Sequence, residues 1–338
     1  MDSQFHNLDS IDSSLLAWIR QLIYHELPQS RQGQAYAKQL LRFITDAFEP
    51  EVKLQSFITL PELCCQASAG QAQLCRPIVA AWSLLLLTAK LIDDIEDEEA
   101  KGDIPIIINT TTGLHFVIQL LLGELVKVPQ TAVSFQPILL ELNRTMLNAC
   151  AGQHADLAHN QPQQKGLDPD TWLEIARAKS GDFFAWAAWA GARVADAPES
   201  VLAGCRTFGN HLGTLLQIAD DFNDVWLSPR FSDLATGCPS LPLIYARFVA
   251  DKATQVQLDK LLSRAQLGDR DAEEKIRQVL IEIGAQNYLL VVARTEYLQA
   301  VAALEQINPA NEFNQALLAL LDQVLPVISS DSLKDATE

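Results

Sequence analysis

LLLLTAKLIDDIEDEEAKG, residues Leu84 to Gly102, decides the reading of this chain: an apolar helical run carries Asp93, Asp94 and Asp97 toward the interior. At helical spacing Asp93 and Asp97 lie one turn apart on one face and Asp94 sits about 100° round, so all three can reach one polar cavity. Ionised carboxylates this close repel one another and are costly to desolvate, so an interior cluster needs compensating cations. Oxygen donors unaccompanied by His or Cys suit hard divalent ions, Mg2+ first. Taken alone, DDIEDEE more often marks a solvated acidic helix end. A partner changes that reading: in TFGNHLGTLLQIADDFNDVW, Asp220, Asp221 and Asp224 repeat the D-D-x-x-D spacing, again after an apolar helix.

Composition bounds the rest. A chain of 338 residues, 49% apolar, can bury a sizeable core, and the reading is one helical domain over residues 1–330 followed by a flexible tail, 331–338. A net charge of −17 argues against nucleic acid, whose phosphates need a basic surface. It also leaves metal ions to offset much of the charge of an anionic substrate. The six cysteines show no CxxC spacing and read as buried hydrophobes of a reduced, cytoplasmic setting. The N-terminal stretch lacks the basic region and apolar core of a signal peptide, and the apolar runs are broken by polar residues short of a membrane-spanning length.

Periodicity predicts helices nearly throughout. Surface helices are expected from about Asp12 to Pro28 and from Ala35 to Pro50, and two more between Pro61 and Asp94, the second starting near Arg76-Pro77 and central because its apolar residues are not confined to one stripe. Ile104 to Asn109 reads as an extended linker. Helices follow over TTGLHFVIQLLLGELV and, from Pro137, over PILLELNRTMLNACAGQHADLA. Asp168-Pro169 opens another, interrupted at Gly181. Three or four amphipathic helices fill Lys252 to Ile328.

With DDIED (93–97), TGLHF (112–116), GQHADL (152–157), Lys179-Ser180-Gly181 and QIADDFND (217–224) in hand, the chain resembles the trans-isoprenyl diphosphate synthase, or polyprenyl synthetase, family of class I isoprenoid enzymes. The resemblance implies an all-α bundle with a deep central cavity, a homodimer, and Mg2+ held by Asp93, Asp97, Asp220 and Asp224 at the cavity mouth, with Asp94 and Asp221 completing the catalytic motifs. The substrate it implies is an allylic isoprenyl diphosphate, and the reaction a prenyl transfer. Lys179, Gln217 and Gln153 are expected to meet the diphosphate. Phe183, Phe184, Trp186 and Trp189 follow closely enough to line an apolar chamber, with ordinary packing as the competing reading. Thr88 and Ala89, small residues just upstream of Asp93, leave room for a long chain, with Trp82 as a deeper floor.

Departures from the family pattern bear on the acceptor. The G-K-x-x-R signature that binds isopentenyl diphosphate appears here as GQAQLCRP, with Gln73 in place of lysine and only Arg76 kept. After the first motif stands EEAKG, in which Glu98 and Glu99 add negative charge and Lys101 is the one cation; Lys90 and Arg144 are further candidates to restore it. Cys238 stands where the family usually has lysine. The acceptor is therefore isopentenyl diphosphate in a reduced pocket or another nucleophile. A terpene synthase of the same fold and a silent regulatory subunit are the competing readings.

Overall fold

Every regular element among the described residues is helical, as the sequence predicts; the computed structural model describes residues 13–48, 57–97, 99–159, 167–227, 233–307 and 312–324. The helices are α1 (Ser13–Glu26), α2 (Arg31–Ala47), α3 (Leu60–Ala67), α4 (Ala72–Glu96), α5 (Ile104–Gly123), α6 (Pro129–His159), α7 (Pro169–Ala176), α8 (Asp182–Val194), α9 (Glu199–Trp226), α10 (Asp233–Thr236), α11 (Leu241–Val249), α12 (Lys252–Ala265), α13 (Arg270–Ile283), α14 (Ala285–Ile307) and α15 (Glu312–Val324). The chain divides into two compact units, one of residues 1–142, 187–202 and 310–317, the other of 143–186, 203–309 and 318–338. Glu98, most of the expected loop 159–166 and the tail 331–338 lie outside the described residues.

The first unit is built round α4, which packs against α1, α2, α3 and α5. Its residues from Ile78 to Thr88 are all buried, the pattern of a helix apolar on every side. Trp82 is fully enclosed, and its indole N–H donates to the Phe57 carbonyl at 2.8 Å. Each such large side chain contributes about 1.5–3 kcal/mol by leaving water. Against expectation α4 begins at Ala72, so Pro77 lies inside it. Likewise α6 starts at Pro129 and runs through Pro137. In both helices burial on either side of the proline outweighs the lost backbone bond: Cys75 and Ile78 flank Pro77, Ser134 and Ile138 flank Pro137.

Ile104 to Asn109, expected to be a linker, is instead the start of α5. Asp103 caps it, its carboxylate accepting the Ile106 N–H at 3.4 Å, and Pro105 sits in the first turn. The β-branched run Ile106-Ile107-Ile108 suits a strand, yet Ile107, Thr111, Leu114, Ile118 and Leu121 form one helical stripe buried in the unit. The opposite side leaves Ile104, Ile106, Ile108 and Phe116 exposed. Residues 104–127 are also long and apolar enough to cross a membrane by length and composition alone, although polar residues interrupt the run as expected and 44% of its most apolar window is buried against the protein.

In the second unit α10 to α14 enclose a core of Leu234, Leu243, Leu258, Leu262, Ile276 and Leu280, joined by Val225 of α9. Carboxylates open α7, α12 and α13: Asp168, Asp251 and Asp269 accept the N–H groups of Thr171, Thr254 and Ala272, and those bonds, with Arg264 foremost for Asp269, hold all three below the usual aspartate range. The single helix expected after Asp168 is broken into α7 and α8 by a π-helical segment, Arg177–Gly181.

Candidate active site

The first aspartate motif ends α4 in the first unit. Burial stops at Thr88, and beyond it Asp93 and Asp94 are half-buried and Asp97, the C-cap, is exposed. The carboxylates thus emerge at a helix end. Asp94 accepts the Lys90 ammonium at 2.9 Å, an i, i+4 pair that commits Lys90 locally. Thr88 is buried, its hydroxyl donating to the Leu85 carbonyl at 2.8 Å, whereas Ala89 is exposed. Lys101 is exposed in the connection to α5. Arg76 is not brought to this motif. A continuous helix separates it from Asp93 by roughly 25 Å along the axis, and its guanidinium donates to the Ser14 carbonyl at 2.7 Å and lies 5.2 Å from the centre of the Trp18 ring.

The second motif lies on α9 in the second unit. Gln217 and Asp224 are half-buried and Asp220 is exposed, while Asp221 is buried at 8% exposure. One Asp221 oxygen accepts the buried Leu241 N–H at 2.5 Å, at the first turn of α11. The N-cap of that helix, Ser240, makes no side-chain cap bond. Asp221 therefore serves as a remote cap of α11. In each motif one carboxylate meets a structural group outside the motif, Lys90 for Asp94 and Leu241 for Asp221. The other two, Asp93 with Asp97 and Asp220 with Asp224, keep the one-turn spacing.

Three segments named in the sequence meet within the second unit. Lys179, in the π-helical segment, places its ammonium 3.0 Å from an Asp156 oxygen of the GQHADL stretch. Gln153 is half-buried one turn earlier on α6. Glycines make the approach possible: a Cβ at Gly152 would lie 2.8 Å from the Lys179 nitrogen, and one at Gly213 of α9 would lie 2.6 Å from the Ser180 carbonyl oxygen. The Ser180 hydroxyl donates to the Gly213 carbonyl at 3.0 Å. Asp182 receives the amides of Asn148 at 2.6 Å and Asn210 at 2.9 Å, tying α6 and α9 to the start of α8. Phe183 and Phe184 are buried edge to face, centroids 6.2 Å apart, and Trp186 is fully enclosed.

Sequence reading did not find the Lys179–Asp156 pair, although both stretches had been marked, nor a buried carboxylate on α14, Glu296. The signal for the latter was available. Leu289, Ala293, Glu296, Ala300 and Ala303 fall at alternating spacings of four and three, the stripe of a packed helix, with a glutamate in a core position. Among the described residues no three His, Cys, Asp or Glu side chains converge closely enough to hold a metal ion. The donor chemistry nonetheless fits a hard ion, since both motifs offer carboxylate oxygens alone.

The helical architecture is that of the isoprenoid synthases. Decaprenyl diphosphate synthase from Rhodobacter capsulatus superposes with a TM-score of 0.78 at 17% identity, over 94% of this chain and 96% of that one. Polyprenyl synthase from Caulobacter crescentus CB15, complexed with calcium and isoprenyl diphosphate, gives 0.74 at 21% identity, over 94% and 95%. The polyprenyl synthetase family profile matches residues 58–282, a span that includes both aspartate motifs, and the chain belongs to that family. Among characterised relatives, tryptophan prenyltransferase ComQ of Bacillus subtilis (strain 168) is 26% identical over 234 residues, 68% of this chain and 74% of its own. Geranylgeranyl pyrophosphate synthase of Eremothecium gossypii is 26% identical over 244 residues, 64% of this chain and 75% of its own.

Proposed function

We propose that this chain is a Mg2+-dependent trans-prenyltransferase that ionises an allylic isoprenyl diphosphate and passes the prenyl group to an acceptor other than isopentenyl diphosphate. The observation that carries the reading is a family match spanning both D-D-x-x-D motifs, and the prenyltransferase relatives support it. Ionisation breaks the allylic C–O bond, the electron pair leaving with the diphosphate, so the protein must stabilise the growing anion. When bound, the metal supplies Lewis-acid stabilisation of that leaving group; Asp93, Asp97, Asp220 and Asp224 are the residues that would hold it. Lys179 exchanges its partner Asp156 for a diphosphate oxygen and adds a point charge. Gln217 and Gln153 orient the same group, and the phenylalanines after Lys179 keep water from the cation.

The acceptor follows from what is missing. With Gln73 in the lysine position, the chain's version of the isopentenyl diphosphate signature keeps a single cation, Arg76, and that one is engaged by Ser14 and Trp18. The same proposal takes residues 1–330 as one domain. It also takes a homodimer that covers the exposed isoleucines of α5, and a cytoplasmic setting consistent with the free cysteines. The deciding assay supplies Mg2+ and allylic diphosphates with and without isopentenyl diphosphate, and adds tryptophan-containing peptides in a third arm. Prenylated peptide without chain elongation is expected. Elongated diphosphate alone overturns the acceptor assignment, a cyclised hydrocarbon makes the protein a terpene synthase, and no product in any arm makes it a silent subunit.

A further inference from the structure

Glu296 on α14 is 3% exposed and has a separate partner on each oxygen. Oε1 accepts the Arg177 guanidinium at 2.9 Å, and Oε2 meets the His211 ring nitrogen Nδ1 at 2.5 Å. Burial pushes its pKa up, but the bonds from His211 and Arg177 outweigh that and hold the carboxyl below its ordinary value. Stability alone is a poor reason for a carboxylate here, because replacing a buried ionic cluster by apolar side chains is often neutral or favourable. What the cluster touches is more telling. Arg177 is the first residue of the π-helical segment, and His211 lies on α9 beside Gly213, the segment's other support. A π turn carries one residue more than an α turn needs and persists only where neighbours fix it; such turns cluster at functional sites. Its middle residue is Lys179.

We propose that Glu296 is a positioning residue: by holding Arg177 and His211 together, it fixes the π-helical segment in the register that aims the Lys179 ammonium at a substrate's diphosphate. This rests on the prenyl-transfer reading for the identity of the anion and extends it to a residue that touches no substrate.

The test is titration calorimetry with inorganic pyrophosphate in Mg2+, on the parent, Lys179→Ala, Glu296→Gln and the double variant. Glu296→Gln keeps the shape and one acceptor oxygen but removes the charge. Lys179→Ala should weaken binding by roughly tenfold or more, as loss of a charge-assisted contact does. Glu296→Gln should weaken it several-fold, and the double variant should bind no more weakly than Lys179→Ala alone, because Glu296 acts through the lysine. A residue that merely stabilises the fold gives losses that multiply. If Glu296→Gln does not fold, Arg177→Lys, which keeps the charge and loses the planar fork, carries the same expectation. Parent-like binding in the folded variant, parent-like binding in Lys179→Ala, or multiplying losses overturn the proposal. Pyrophosphate binding needs no turnover, so the two ideas fail separately. Binding through Lys179 without any product from allylic diphosphates overturns prenyl transfer and leaves Glu296 in place; product formation with unaltered binding in Glu296→Gln does the reverse.

Discussion

Replacing Asp221 by alanine should damage the fold more than replacing either of its partners in the motif. Asp221 is buried and its carboxylate takes the Leu241 N–H at 2.5 Å in place of a cap that Ser240 does not provide. A hydrogen bond to a charged group contributes about 1.5–3 kcal/mol, and a buried donor left unmade costs about 1–3 kcal/mol. The two overlap, so a net loss of about 2–3 kcal/mol is expected. It is transmitted through α11, which supplies Leu243 and Ala246 to the core of the second unit. Asp220 is exposed and Asp224 half-buried. Asp220→Ala and Asp224→Ala should therefore stay within about 0.5 kcal/mol of the parent while abolishing turnover. Urea denaturation followed by circular dichroism gives the stabilities, and product formation in Mg2+ gives the activities. An Asp221→Ala protein as stable as the parent, or an Asp220→Ala protein equally destabilised, would refute the division of labour within the motif.

Thr88→Phe should restrict the prenyl chain accepted, at a packing cost of about 1–3 kcal/mol, because Thr88 is the last buried residue of α4 before the first motif; an unchanged product profile by mass spectrometry places the chain's end elsewhere. Calorimetry with isopentenyl diphosphate, Mg2+ and a non-ionisable allylic analogue should show weak binding or none, and saturable binding lost in Lys101→Ala would restore ordinary elongation. Glu296 has a folded-state pKa below the 4.5 of a free glutamate. Its contribution to stability is thus complete above that value and lost as pH falls through the folded value. The stability gap between the parent and Glu296→Gln, from chemical denaturation, should narrow on acidification below about pH 5, and a gap that widened would reverse the assignment.

The all-helical class was legible because α4 and α9 announce themselves twice, by apolar periodicity and by the acidic motif that ends each. Boundaries were less so. Pro77 and Pro137 invite a helix start, and only burial on both sides, which needs the fold, carries α4 and α6 through them. Ile104 to Asn109 failed for a related reason. Its β-branched residues obscure a helix that Asp103 and Pro105 signal, since periodicity over six residues cannot separate the two. At the site, residue types mark which side chains could do chemistry but not how they divide: the contacts of Asp221 with Leu241 and of Asp94 with Lys90, and the burial of Asp221, depend on the fold. The π-helical segment has no signature beyond Gly181, because it is imposed by what surrounds it.

The approach of α9 to the Lys179 segment has a bearing on how such a protein changes its substrate. From Gly209 to Asp224 nearly every turn is spoken for: a Cβ at Gly209 would lie 2.5 Å from the Phe184 carbonyl oxygen, Gly213 is closed off by Ser180, and the aspartates follow within three turns. Variation there meets backbone, which cannot repack. The floor of α4 is different, since Leu84 to Leu87 are apolar neighbours of other apolar side chains, and volume-conserving exchanges among them usually cost less than about 1.5 kcal/mol. If the proposed prenyl transfer holds, evolvability in this fold is therefore lopsided, with α9 fixed to one chemistry and α4 free to retune the length of the hydrocarbon.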